Sequence, residues 1–469
     1  MGDFQATTER FLAWFKSVGG EFRDDLLEIQ DLRSRDAGRG IIARKNVPED
    51  TTLFTIPRSA IINIETSELS RKLPNVFDRA EDNENEDEEP LDSWSSLILV
   101  MLYEYLQGEA SRWKPYIDVL PTSFDTPIFW SEEELKELEG TILTAEKIGK
   151  QESDEMIRSR IIPLVQHNAA IFYANATIRL SEDDLLALAH QIGSTIMSYA
   201  FDLDNGNEQS DDEEDGWVED RDGQTMLGMV PMADILNANA EFNAHVNHGD
   251  NLEVNSLGSG TTAGTEILNY YGPLPSSELL RRYGYTTPEH HRYDVAELPW
   301  SLVRTTLSTY LDISEDLLQD IESNFEDDEL EEYFLLERDT GDPSSEGKLS
   351  ESVDLCEIPA ELNEQLKLVL KALKKVKPEI ASDKRKRDEV HTSVIAKALA
   401  TKLSQYPTTA EEDDALLKKG GLSRRHRMAV EVRFGEKVLI GEAIASLVDD
   451  ETEEVVAQRS GRSTKRSKN

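Results

Sequence analysis

The chain has 469 residues, 38% of them hydrophobic, and a formal net charge of −43 at pH 7. That length suits two or three domains, each able to bury a core, while so negative a balance argues against direct nucleic-acid binding, which needs clustered positive charge facing phosphates. The single cysteine, Cys356, excludes a disulfide framework and a thiolate metal cluster within one chain.

The N-terminus "MGDFQATTERFLAWF" lacks the basic start, apolar middle and small-residue cleavage site of a secretory signal. The longest apolar run, Leu97–Tyr103, is far shorter than the roughly 18 residues that a membrane span needs. A soluble, intracellular protein is expected. Phe11, Trp14, Phe15 and Val18 share one face of an opening helix over residues 1–21, which Gly19-Gly20 stops. From Gly40 to Ile64 the texture turns to β-branched pieces broken by Pro48 and Pro57, which reads as short strands.

A helical block follows over 91–200. It contains "SLILVMLYEYL", then a helix with Ser131 and Glu134 at capping-box spacing, then "SEDDLLALAHQIGSTIMSYAF" with Ser181 as its cap. Strand texture returns between Met226 and Tyr271, with turns at "NHGDN", "GSGTTAG" and "YGP". Beyond Pro299 the chain is helical, with Leu362, Leu366, Val369, Leu373 and Val376 on one stripe. Two short β blocks separated by about a hundred helical residues fit one small β domain with a helical insertion better than two β domains, because each block alone is too short to hold a core.

Three stretches, Asp78–Asp92, Asp202–Asp222 and Asp312–Asp342, hold 34 of the 93 acidic residues against three arginines. The plain reading is disordered or solvated loops. The sharper one is a field that steers a basic partner. The tail, 451–469, is basic and expected to be disordered.

Several short motifs could carry chemistry. In "AGRGIIA", Gly38, Gly40 and Ala43 match dinucleotide-site spacing, but the residues after Gly40 are β-branched and run into Pro48, so no helix opens there and that reading is rejected. A glycine-flanked turn before a strand remains, whose bare backbone could approach a ligand closely. His245 and His248 have no thiol or third ligand at helical spacing, so no metal site is expected, and His290-His291 reads as an exposed doublet. In "GTEILNYYG", Ile267, Asn269 and Tyr271 share one strand face, and Tyr271 is either packing or an aromatic wall with one placed hydroxyl. The run "MVPMADILNANAEFNAHV" sets Asn237, Asn239 and Asn243 directly behind an apolar stretch, where amides would otherwise weaken helix or strand.

Taken in order, "AGRGIIA", "MVPMADILNANAEFNAHV" and "GTEILNYYGPLPSSELLRRYGY" resemble the motifs of SET-domain protein lysine methyltransferases. The resemblance is to the branch with a long helical insertion that includes the plant Rubisco large-subunit methyltransferase, and within it to the fungal ribosomal lysine N-methyltransferases and their animal nuclear relatives. "SRWKPYIDVLP" and "PIFWSEEELKELEGTIL" are similar to its inserted block, and "RRHRMAVEVRFGEKVLIGEAI" to its C-terminal substrate-binding domain. The resemblance implies an α+β fold: a SET domain of small sheets with a pseudoknot-like crossing, split into 22–90 and 201–289, with an inserted helical block at 91–200 and a C-terminal helical domain at 290–450.

It also implies roles. Asn237 would meet S-adenosyl-L-methionine, with Gly38, Arg39, Gly40, Ser198 and Ala238 around it. Tyr271 would be the catalytic tyrosine, also touching the cofactor. Tyr199, Asp234 and Tyr283 would line the substrate-lysine channel. Ala238 stands where the family has a histidine; in relatives that position meets the adenine mainly through its backbone. Asn239 and Asn243 are assigned to turn and loop bonding. No metal is required. The implied substrate is a basic protein, a large-subunit ribosomal protein before a histone, which an acidic rim would attract. A non-catalytic SET scaffold and an acidic chaperone are the alternatives. "DKRKRDE" at Asp383–Glu389 and the terminal "KRSK" suggest the nucleus, with the cytoplasm as a second location. A monomer is expected.

Overall fold

The computed structural model describes residues 4–463 except Asp36, 78–90, Thr177, 204–225, Ser259, 326–329, Ser352 and 379–382, and beyond residue 447 it describes backbone only. The two β blocks of the sequence interleave strand by strand. One sheet contains β1 (Glu21–Phe22) and β4 (Thr52–Pro57) from the first block, and β8 (Ala244–Asn247) and β9 (Asn251–Ser256) from the second, in the order β1-β4-β9-β8. The other has β2 (Leu27–Asp31), β3 (Arg39–Ala43), β10 (Glu266–Asn269) and β7 (Asn237–Ala238), in the order β2-β3-β10-β7. A two-stranded pair joins β5 (Ala200–Leu203) to β6 (Met226–Met229). Neither block can close a sheet without the other, so the helical insertion hangs between strands of a single β domain.

Register in the second sheet follows the apolar pattern. Ile29 lies opposite Ile41 and Ile41 opposite Ile267, aligning three β-branched residues on one face. Strand β10 runs antiparallel to β3 but parallel to β7, with Leu268 opposite Asn237. The segment after β7 is laced back onto β10. The Asn243 side chain donates to Glu266 O and accepts from Leu268 N, both at 2.8 Å, while Asn239 N donates to Asn269 O. Asn243 thus substitutes for a strand neighbour at the sheet edge, where β10 would otherwise carry unmet backbone groups.

The insertion packs on this domain through the helix Ser93–Gln107, capped by Asp92 at 2.6 Å from Ser95 N and buried on every side from Leu97 to Tyr103. An apolar run without a polar face must sit inside the molecule, and here it lies against the helix Glu182–Tyr199. The expected caps form: Ser131 and Glu134 make a reciprocal capping box, and Ser181 accepts from Asp184 N. The opening helix, Phe4–Ser17, buries Phe11 and Phe15 completely and ends ahead of Gly19, whose φ is +96°.

The C-terminal part has its own core. Strands β11 (Ala296–Pro299) and β12 (Tyr333–Leu336) pair, and the helices Trp300–Leu311, Ala360–Val376, Lys384–Leu403 and Arg424–Ser463 pack around them. It joins the insertion through a small apolar cluster (Trp130, Leu138, Met428, Val432) and a buried ionic group. There Asp413, fully buried, accepts from Arg433 at 3.0 Å and from Lys437, and Arg433 reaches on to Glu137 of the insertion. Removing one member of such a group would leave an uncompensated charge in the interior.

Four expectations need correction. Asp312–Asp342 is not simply a solvated loop: it holds the helix Glu315–Glu322 and β12, whose Leu318, Ile321, Phe334 and Leu336 are buried, and Glu315, Asp316, Asp320 and Glu322 belong to that ordered helix, while 326–329 lie outside the described residues. His290 is buried, 1% exposed, in the 3-10 turn Pro288–Tyr293, with Nδ1 2.7 Å from Thr287 Oγ1. Val376 ends its helix exposed while the rest of its stripe is buried. Backbone helix continues from Arg424 to Ser463, through much of the tail that composition marked as disordered. The other two acidic stretches fall mostly outside the described residues.

Candidate active site

Strand β10 is the organising element, because each of its edges carries one arm of the site. On the β3 side stands Gly40. A Cβ there would fall 2.3 Å from Leu32 Cδ1, 2.7 Å from Glu266 Oε1 and 3.0 Å from Asn237 Nδ2, so only glycine fits between these groups. On the β7 side stands Asn237, whose Nδ2 donates to Arg39 O at 3.1 Å and to Glu266 Oε1 at 2.7 Å. Two acceptors around one nitrogen settle the orientation of the amide. Its Oδ1 makes no hydrogen bond among the described residues and is left to accept from a ligand donor.

The chain then leaves β10 through Tyr270 into Tyr271. Tyr271 is 6% exposed and donates from its hydroxyl to Leu236 O at 3.3 Å, the carbonyl just before Asn237. Its ring stacks on Tyr283, with centroids 4.7 Å apart and planes 16° from parallel, and Tyr283 packs against Tyr285 at 6.0 Å. Tyr283 is set by its helix, Ser276–Tyr283, which Gly284 ends in the left-handed conformation. The Ser198 hydroxyl holds that helix in place by donating to Arg282 O at 2.8 Å.

Asp234 closes the far side. One carboxylate oxygen accepts from the Tyr116 hydroxyl, and among the described residues no side chain pairs with the buried Oδ1. Burial pushes its carboxyl up to about 7, against the pull of the Tyr116 hydrogen bond. Tyr199, at the end of the Glu182–Tyr199 helix, is raised to about 12 by burial and by the Asp234 charge. Tyr271 is pushed well above the ordinary phenol range, by burial first and then by Tyr283, Tyr285, Tyr199 and Asp234. These phenols stay neutral at physiological pH. They can orient a group through hydrogen bonds but cannot serve as bases.

The structure thus gathers Gly40, Asn237, Ala238, Tyr271, Asp234, Tyr199 and Tyr283 around one end of β10. Two of the expected ligand residues face it differently. Arg39 offers its backbone carbonyl, while its guanidinium turns away to Thr8 Oγ1 (2.9 Å), Val119 O (3.0 Å) and the Phe4 ring. Ser198 spends its hydroxyl on the Tyr283 helix. Gly38 lies in the turn before β3, with nothing within 4 Å of a Cβ built on it. Sequence reading missed Glu266, Tyr116 and Tyr285. Glu266 lies inside a motif already singled out, and Tyr285 ends the "YGY" of the same motif, but Tyr116 lies 118 residues from Asp234 and carries no local signal.

No group of three or more His, Cys, Asp or Glu among the described residues is arranged to hold a metal. The described residues fit a zwitterionic, positively charged ligand. Asn237 Oδ1 would accept from an ammonium group, the backbone at Gly40 allows close approach, and the buried Asp234 Oδ1 awaits a donor or cation.

This α+β arrangement matches solved structures over nearly the whole chain. It is similar to "Crystal structure of the SET domain of LSMT bound to Lysine and AdoHcy" (TM-score 0.61, 20% identity, 96% of this chain and 92% of that one). It is likewise similar to "Structure of Rubisco LSMT bound to AdoMet" (TM-score 0.61, 21% identity, 95% and 92%). Residues 315–440 match the family model described as Rubisco LSMT substrate-binding. The likeness to these structures is one of fold, and the family model adds the C-terminal part of the chain. Among individual relatives, it is 34% identical over 306 residues to Ribosomal lysine N-methyltransferase 4 of Saccharomyces cerevisiae (64% of this chain, 59% of that protein). It is 26% identical over 429 residues to human N-lysine methyltransferase SETD6 (86% and 83%). The match spans 59% of the length of the yeast relative and 57% of the Xenopus laevis N-lysine methyltransferase setd6.

Proposed function

We infer that this chain is a protein-lysine N-methyltransferase that uses S-adenosyl-L-methionine. The observation that carries the reading is the convergence on β10: a glycine strand edge, an amide with an open acceptor and a neutral buried phenol stand at one end of one strand. When bound, S-adenosyl-L-methionine supplies an electrophilic methyl whose bond to sulfur breaks, leaving a neutral thioether, as the lysine nitrogen forms its bond to carbon. The chain's residues prepare the nitrogen. An exposed lysine, pKa about 10.4, is almost wholly cationic at neutral pH. The Tyr199, Tyr271, Tyr283 and Tyr285 walls disfavour the cation and so lower the cost of losing its proton, while the Tyr271 hydroxyl and the Asp234 carboxylate fix the direction of its lone pair. Alignment of the reacting atoms then supplies much of the acceleration.

The proposed substrate is a basic protein, and a large-subunit ribosomal protein in particular, on the strength of the yeast relative's name and the acidic surface. A histone is the second choice. Monomeric action and nuclear residence belong to the same proposal. The non-catalytic scaffold and acidic-chaperone readings are less favoured, since neither requires the site geometry. The test is transfer of labelled methyl from S-adenosyl-L-methionine to purified large-subunit proteins, with the labelled lysine located by mass spectrometry. Labelling of a defined lysine that disappears in Tyr271→Phe supports the reading. Cofactor binding with no transfer to any basic protein would favour the scaffold instead.

A further inference from the structure

The C-terminal domain carries a concentration of positive charge that methyl transfer does not use. Between residues 371 and 387 stand eight basic residues, Lys371, Lys374, Lys375, Lys377, Lys384, Arg385, Lys386 and Arg387, against two acidic ones, in a chain whose net charge is −43. The fold concentrates them further. The helices Ala360–Val376 and Lys384–Leu403 pack side by side through Leu366, Val369, Leu370, Leu373, Val390, Val394 and Ile395, so the end of one and the start of the other form the tip of a helical hairpin. Lys371, Lys374 and Lys375 are exposed on the last turns of the first helix, and Lys384, Arg385 and Lys386 on the first turn of the second.

Several exposed cations elsewhere in this protein are paired, as Lys16 is with Asp24 and Arg158 with Glu182 and Asp183. Among the described residues, none of these six makes an ion pair. Their position does not serve the helices either. Asp383 caps the second helix, accepting from Lys386 N at 2.8 Å, but three cations then crowd the positive end of its macrodipole, where positive charge is unfavourable. One turn further in stand Asp388 and Glu389, the nearest acids on that helix. Charge held together without partners among the described residues, at a local cost in stability, points to a partner outside the chain.

We propose that this hairpin tip is a docking surface for the phosphate backbone of nucleic acid. Lysines and arginines clustered on one exposed surface are the electrostatic footprint of phosphate-backbone binding, and five of the six exposed cations are lysines, mobile point charges of the kind that bind phosphate. Held in a capped helix, Lys384–Arg387 presents a curved surface and not an extended basic peptide, so a nuclear import role passes to the terminal "KRSK", which lies outside the described residues. The overall negative charge does not exclude the contact. It restricts it to an approach in which the tip leads and the acidic body stays clear, with attraction confined to about one Debye length, roughly 8 Å at physiological salt. The inference stands apart from the methyl-transfer reading. If both hold, the protein grips the nucleic-acid part of a ribonucleoprotein while it modifies a protein beside it.

The experiment is fluorescence anisotropy of the full-length protein with labelled 20-mers: single-stranded RNA, duplex RNA and duplex DNA, with labelled polyglutamate as the acidic-polypeptide arm. Binding that weakens about 100-fold for single strands and about 500-fold for duplexes between 50 and 200 mM salt is expected, the slope of about five phosphate contacts. The quintuple variant K374Q/K375Q/K384Q/R385Q/K386Q should lose 10-fold or more. The half-patch variants K374Q/K375Q and R385Q/K386Q should each lose part of that, and K418Q/K419Q on another helix should stay within twofold. All positions are exposed, and thermal melting checks that each variant is folded. The RNA and DNA arms decide which backbone is preferred. No nucleic-acid binding at 50 mM salt, equal binding by the patch variants, or tighter binding of polyglutamate than of any nucleic acid would each overturn the proposal. Binding of S-adenosyl-L-methionine, measured by calorimetry, should be unchanged in the patch variants, so failure here is separable from failure of the functional reading.

Discussion

The amide nitrogen of Asn237 lies 2.7 Å from Glu266 Oε1, and a methyl group placed on Gly40 would sit 2.7 Å from the same oxygen. Glu266 is therefore the hinge between the glycine edge and the amide. Removing it frees the Asn237 side chain to rotate and spoils the acceptor that it offers. A hydrogen bond to a charged group contributes about 1.5–3 kcal/mol, so Glu266→Ala should weaken S-adenosyl-L-methionine binding roughly 10-fold or more by titration calorimetry. Gly40→Ala should be worse, because its Cβ must also displace Leu32. Unchanged affinity in both variants would remove the Asn237 arm from the site.

Tyr271 offers a cleaner separation of packing from chemistry. Tyr271→Phe keeps the stack on Tyr283 and loses only the hydroxyl that donates to Leu236 O. Loss of one positioned hydrogen-bonding group in a buried site costs about 10²–10³ in kcat. Single-turnover transfer should fall by that factor, with cofactor affinity within about threefold of wild type and the melting temperature little changed. Tyr283→Ala should lose substrate affinity as well, since it opens the aromatic wall. Equal rates for Tyr271→Phe and wild type would show that the phenol is only packing.

The Tyr116 hydroxyl pulls the Asp234 carboxyl down while burial pushes it up, and the balance leaves it at about 7. Tyr116→Phe removes the downward pull, so Asp234 ionises only at higher pH. If ionised Asp234 helps to place the incoming lysine, the acid limb of the kcat/KM profile should move up by about one unit. A merely structural role for Tyr116 would lower activity at every pH without moving that limb.

Much of this arrangement could be read from the chain itself, and the exceptions share a cause. The helix caps at Ser131 and Ser181, the turn at Gly19 and the interleaving of two β blocks follow from local chemistry and from the need of short strands for partners. Asn239 and Asn243 form the loop bonds that their side chains favour. What escaped depends on contacts far apart in sequence. Tyr116 meets Asp234 only because the insertion packs onto the second β block. The turn of the Arg39 side chain toward Thr8 depends on where the opening helix docks. Composition misled at Asp312–Asp342, where the acids of the helix Glu315–Glu322 and of the segments beside β12 concealed a buried Leu, Ile and Phe pattern, and at His290, whose polar neighbours hid a buried ring.

The junction between the insertion and the C-terminal domain should respond to pH through Glu436. It is 2% exposed, accepts from the Tyr406 hydroxyl at 2.6 Å and from Ile142 N at 2.9 Å, and so bonds the long C-terminal helix to the inserted block. Burial raises its carboxyl to about 7 from an ordinary 4.5, with Asp294 adding to the rise and Tyr406, Ile142 N and Lys402 opposing it. The folded protein therefore holds this proton more tightly than the unfolded chain. The resulting stability is fully present below about 4.5 and is lost as pH rises through about 7. Between pH 5 and pH 8 this should amount to on the order of 2–3 kcal/mol. Glu436→Gln keeps a neutral group at every pH and should lose less stability over that range by the same amount, measured by urea unfolding at both pH values. His290 acts in the opposite direction: burial lowers it to about 4, so its contribution is present above about 6.5 and lost as pH falls. Because His290 is common to wild type and variant, the difference between them isolates Glu436. Identical pH slopes in the two proteins would mean that Glu436 is already ionised in the folded state, with Lys402 as its counter-charge.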